Sequence, residues 1–99
     1  MSHIPPQEVR SPRQHWALFL VILDRGAGEA CYAIGTWDGT PVFATRWNGL
    51  KESPIGMPQS RGLPTWFVLD ANLNDTLIAH FHREVPAMSD VIKKFFNRG

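Results

Sequence analysis

Only one cysteine, Cys31, occurs in the 99-residue chain, so neither an intrachain disulfide nor a multi-cysteine metal site can form. A reducing compartment, the cytoplasm, is the expectation that follows. Charge of one sign is lacking too. With 10 Lys and Arg against 9 Asp and Glu the formal charge is +1, whereas a non-specific nucleic-acid binder carries a clearly basic domain or stripe. Long hydrophobic runs are missing as well. Trp16 to Leu23 is too short to span a bilayer, and Asp24 and Arg25 follow where a signal peptide would place small residues for cleavage. No membrane span and no secretory signal are expected. There is no internal repeat, Walker loop, Gly-x-Ser-x-Gly elbow or His-Glu-x-x-His pair, and Gly26-x-Gly28 lacks the third glycine and following helix of a dinucleotide fingerprint. No cofactor is implied.

What is present suits a single folded domain: 43% of residues are hydrophobic and 19% charged, well away from disordered compositions. Its centre is Ala30 to Trp47, where two apolar, β-favouring runs flank Asp38-Gly39. An Asp-Gly pair tolerates the positive φ angles of a two-residue type I′ turn, so the stretch predicts a tight hairpin in which Trp37 faces Thr40, Ile34 faces Phe43 and Tyr32 faces Thr45. Alternation then puts Tyr32, Ile34, Phe43 and Trp47 on one face and Cys31, Ala33, Gly35, Val42 and Ala44 on the other. The first, bulky face needs a cover.

Upstream, residues 1–13 are polar and broken by Pro5, Pro6 and Pro12, which predicts a flexible arm, with one domain over 14–99. Gln14 to Leu23 reads as a strand buried on both sides, with Trp16, Leu18, Leu20 and Ile22 on one side and Ala17, Phe19, Val21 and Leu23 on the other. Downstream, residues 50–64 hold Pro54, Pro58, Pro64, Gly56 and Gly62 and predict a long loop, the kind that is more often functional than incidental. Thr65 to Asp70 reads as a short strand. Thr76 to His82 fits either a strand, by the alternation of Leu77, Ala79 and Phe81, or a helix capped by Asn74; the strand is preferred because a short turn would pair it with Thr65 to Asp70. At the C-terminal end Met88, Val91, Ile92, Phe95 and Phe96 recur at helical spacing. Burying that stripe is worth on the order of 10 kcal/mol before entropy. The expected fold is therefore α+β: an antiparallel sheet of about five strands, a meander around the Asp-Gly hairpin, with a C-terminal helix over one face. Leu63 to Phe96 resembles the closing half of a thioredoxin-like fold, but without a Cys-x-x-Cys pair and with a meander as first half it assigns no family.

Catalytic groupings are weak. As a strand, His80-x-His82 would set two imidazoles on one face roughly 7 Å apart, with no third metal ligand marked by the sequence. Cys31 lies among alanines and reads as a buried thiol. The best candidate surface is Arg46, Trp47 and Asn48 taken with Gln59, Ser60, Arg61 and Trp66 in and beside the Gly/Pro-rich loop, suited to a protein or small anionic ligand. A non-enzymatic binding module is the leading expectation. A small enzyme or anion-binding protein with a pocket between sheet and loop 50–64 comes second, and single-stranded nucleic acid, stacked on Trp47 and Trp66, third. Because one helix cannot cover both faces, a symmetric homodimer through the uncovered face or edge is also expected.

Overall fold

The Asp-Gly turn sets the register of everything else. In the computed structural model, which describes residues 3–98, Asp38 and Gly39 both take positive φ (49° and 86°). They join strands β2 (Ala30–Trp37) and β3 (Thr40–Trp47), which pair antiparallel with Trp37 opposite Thr40, Ile34 opposite Phe43 and Tyr32 opposite Thr45, the predicted register. Strand β1 (Trp16–Asp24) pairs with β2. Beyond the hairpin come β4 (Gln59–Ser60), β5 (Leu63–Pro64) and β6 (Phe67–Val68). The main sheet runs β1-β2-β3-β6, and β4 and β5 form a separate two-stranded hairpin. With helices packed on one face of an antiparallel sheet, the fold is α+β.

The bulky face is covered by helices, as its composition demanded. Ile22, Ile34 and Phe43 pack with Ile78, Phe81, Ile92 and Phe96 from two helices, α1 (Asn74–Glu84) and α2 (Ser89–Phe95). Phe96 stacks on Phe43 with ring centroids 4.7 Å apart. The expected strand over Thr76 to His82 is thus replaced by a helix. Both periods fitted seven residues; the helical one wins because it brings Ile78 and Phe81 together onto the sheet, and because Asp70 caps a 3-10 turn (Ala71–Leu73) that runs straight into α1. The pairing that the strand reading gave to Thr65 to Asp70 is also corrected: β6 joins β3 instead, Phe67 opposite Thr45 and Val68 opposite Ala44.

The second face is not left open. Cys31, Ala33, Val42 and Ala44 are covered by Val9, Trp16 and Trp66. Gly35 permits this, since a Cβ there would strike the Trp16 ring. The segment expected as a flexible arm supplies part of the cover: residues Pro6–Glu8 form a 3-10 turn, Pro6 and Val9 are buried, and the Ile4 amide donates to the Pro54 carbonyl (3.1 Å). Side-chain parity along β1 also differs from strict alternation. Register shifts between Leu18 and Leu20 and between Val21 and Leu23 are β-bulges, so Trp16, Leu18 and Val21 face the second core while Leu20, Ile22 and Leu23 face the helices.

The outer side of β3 is closed along its length. Pro41 has no N–H and its carbonyl accepts from Asn74 Nδ2 (2.9 Å), Phe43 accepts from the Leu69 amide (2.8 Å), and Trp47 and Met57 exchange backbone hydrogen bonds (2.7 and 3.0 Å). The long free edge of the sheet is β1, and the two-residue β6 ends the other side.

Candidate functional site

Arg46 alternates onto the second face of β3, directly opposite Cys31, and this makes it a buried residue, 2% exposed. Its guanidinium does not reach solvent. It donates from Nη1 to the carbonyls of Thr65 and Pro58 and from Nη2 to that of Ile55, two points on the loop that the sequence left without structure and one just past its end. Among the described residues no carboxylate pairs with it, and its Nε–H is buried without a partner. Burial pulls its pKa below the ordinary arginine value, the neighbouring Cys31 acting in the opposite sense. A fork of five donors suits this task, since one planar group can tie several carbonyls at once. Gly56 completes the clamp: it holds φ +73°, and a Cβ there would run into the Trp47 carbonyl and the Arg46 Nη2.

The clamp fixes the loop. Leu50 and Ser53 close a tight turn through two backbone hydrogen bonds (2.9 and 3.0 Å), and β4 and β5 project beyond Pro58 and Thr65 around a turn in which Arg61 and Gly62 both have positive φ (54° and 78°). Gln59, Ser60 and Arg61 lie exposed on this small hairpin, and Gln59 Nε2 donates back to the Gly56 carbonyl (2.9 Å). Asn48, by contrast, is 4% exposed. Its Nδ2 donates to Asp24 Oδ1 (2.8 Å) and to the Gly26 carbonyl (2.9 Å), while its Oδ1 accepts from the Cys31 thiol (3.6 Å). Trp66 is 3% exposed and its indole N–H donates to the Val9 carbonyl (2.6 Å). The seven residues expected to form one surface are thus divided. Arg46, Asn48 and Trp66 hold the scaffold; Trp47, Gln59, Ser60 and Arg61 are presented to solvent.

Trp47 has company that the sequence reading missed. Trp47 and Met57 are each 56% exposed and Phe67 is 61% exposed, and together with Thr45, Arg46 and Pro58 they line a cleft of about 260 Å³ between β3, the loop and β6. The signal for Phe67 was present: a buried Trp66 forces its neighbour in an extended strand to the opposite side. Met57, in a Gly/Pro-rich segment, carried none.

The remaining titratable groups offer little chemistry. Placed on α1, His80 and His82 point about 200° apart around the axis. The former packs edge-on against Phe81, and Nδ1 of the latter lies 2.5 Å from Ser89 Oγ. Among the described residues no group of three His, Cys, Asp or Glu side chains could hold a metal ion. The Cys31 thiol is fully buried, and burial first, then the charge of Asp24, pushes it up to about 12 against the opposing pull of Arg46. A thiol so disposed stays protonated and is no nucleophile. No protein-family model matches the chain, nor does any curated protein or solved structure. No helix among the described residues is long and apolar enough to cross a membrane.

Proposed function

We propose that the protein is a non-enzymatic interaction module that receives an apolar side chain of a partner protein in the cleft between Trp47, Met57 and Phe67. The observation that carries this reading is the combination of three large, more than half-exposed apolar side chains around one cleft with a loop pinned from beneath by a buried arginine. Aromatic and methionine side chains are enriched at interface centres, and a loop backbone already pinned leaves less freedom to lose on binding. Arg61 and Lys51, exposed on the same loop, favour an acidic flank on the partner. Selection from a random peptide library tests this: the chosen peptides are expected to carry an aromatic or aliphatic anchor, and Trp47→Ser and Phe67→Ser each to weaken them about tenfold. Peptides indifferent to both substitutions, or a turnover activity abolished by one point mutation, would overturn it.

A second reading uses the same cleft for a small anionic ligand. It rests on the charge of Arg46, buried behind the cleft wall, which no carboxylate among the described residues pairs with. A co-purifying anion seen by native mass spectrometry supports it. The nucleic-acid reading loses two of its contacts, since Arg46 and Trp66 are buried. The homodimer expected from an open apolar face loses its motive, because that face is covered by Val9, Trp16 and Trp66, and the long free edge, β1, is interrupted by two bulges. We therefore read the chain as a monomer until it meets its partner. The buried thiol of its one cysteine suits the cytoplasm.

A further inference from the structure

A second cleft, of about 520 Å³, opens at the Asp-Gly end of the hairpin, away from the loop. Its walls are Val42, Val68 and Leu69, with Trp37 on one side and Asp70 among the residues that complete it. Neither lysine nor arginine lines it. We propose that this cleft is a binding site for a basic side chain, the guanidinium or ammonium of an arginine or lysine presented by a partner peptide.

Three observations point to that chemistry. The indole of Trp37 is held in place as a platform: His15 stacks on it at 4.9 Å with the rings inclined by 28°, His15 Nδ1 is bonded to Asp38 Oδ1 (2.8 Å), and the Asp38 amide donates to the His15 carbonyl (2.8 Å). A fixed indole is the best of the aromatic rings for a cation. The carboxylate of Asp70 uses Oδ1 to accept from the Asn72 amide (2.8 Å), and among the described residues no cation pairs with it. An exposed acid lining the same cleft as an aromatic ring, with neither lysine nor arginine among the described lining residues, gives the cleft a preference in sign. The valine and leucine walls add a preference in shape. A metal ion or a bare ammonium has nothing to place against Val42, Val68 and Leu69, whereas lysine and arginine carry an aliphatic stem that buries on apolar surface while the charged end stays polar. The volume falls within the ~300–1,000 Å³ usual for ligand clefts. This site shares no lining residue with the Trp47 cleft and does not depend on the function assigned there.

The test is an NMR titration of the isotope-labelled full chain with Nα-acetyl-arginine methylamide and Nα-acetyl-lysine methylamide, using the glutamine and glutamate analogues as neutral and anionic controls. Saturable shifts are expected at the Trp37 indole N–H and at the amides of Val68, Leu69 and Ala71 with the two cations, and none with the controls. Asp70→Asn removes the charge but keeps a competent helix cap, so the variant should fold, and it is expected to weaken the cations about fivefold, the scale of one partly exposed charge contact. Asp90→Asn, an exposed acid on α2, is expected to leave them unchanged. Equal shifts from the glutamine analogue, absence of saturation with both cations, or an Asp70→Asn variant that binds like the parent would each overturn the assignment.

Discussion

At the scale of the residue, Arg46 carries the most consequence. It looked like a recognition side chain because arginine beside tryptophan at the mouth of a Gly/Pro-rich loop is a common binding surface, and only the strand parity, with Arg46 opposite Cys31, tells that it points inward. Arg46→Met keeps the volume but leaves the Ile55, Pro58 and Thr65 carbonyls without their charged donor. It is expected to cost roughly 2–4 kcal/mol and to release the loop, read as faster hydrogen exchange at the amides of Met57 and Thr65. Unchanged exchange would show that the backbone turns alone hold it. Cys31 yields a pH prediction with a definite sign. An unfolded thiol releases its proton near 9.0 whereas the native one keeps it to about 12, so the native state binds the extra proton between those values. The contribution is therefore complete below pH 9 and is lost as the pH climbs toward 12. Urea midpoints over that range should fall more steeply for the parent than for Cys31→Ala, and a thiol reagent should react with the parent only as it unfolds.

Among the elements, what was legible depended on whether one period could be read without a competitor. The Asp-Gly hairpin announced its register because the turn chemistry and two flanking runs agreed, and the α2 stripe repeats over nine residues from Met88 to Phe96. Thr76 to His82 is short enough for periods of 2 and 3.6 to coincide, and the choice was made by the sheet it had to cover. The bulges of β1 left no trace in an unbroken apolar run, since any parity of Trp16 to Leu23 shows only apolar side chains. The candidate site divided on two grounds: the parity of β3 turns Arg46 inward, whereas burial of Asn48 and Trp66 is decided by contacts from residues far away in the chain, Asp24 and Val9. Asn74 illustrates a role that local reading could not give. The helical alternative made it a cap, yet its side chain reaches across to the Pro41 carbonyl and seals the outer side of β3. Asn74→Ala is expected to destabilise by about 1–2 kcal/mol while leaving the helix itself formed, since Asp70 retains the cap. Loss of far-ultraviolet helix signal in proportion to stability would contradict that division.

Taken whole, the molecule is a sheet enclosed from both sides, by two helices in front and by the N-terminal segment with two indoles behind. Light scattering at micromolar concentration is expected to return the mass of one chain and to keep it on concentration; a concentration-dependent doubling would restore the dimer through β1. Phe19→Asp should leave that mass unchanged and lower stability by about 1 kcal/mol, because Phe19 stacks on Phe95 at 4.8 Å within the chain. The rear enclosure has a further consequence, in time. Asp38 and Gly39 alone close the β2–β3 hairpin, but the hydrogen bond from the Trp66 indole to Val9 joins residues 57 positions apart. Contacts of such long sequence separation bear their loop-closure entropy before they return anything, so the local hairpin forms first and the N-terminal strap docks late. Val9→Ala should therefore speed unfolding in a chevron experiment and leave the refolding limb near that of the parent. On the ribosome, the residues made first wait for Trp66 to emerge before the rear core can be completed.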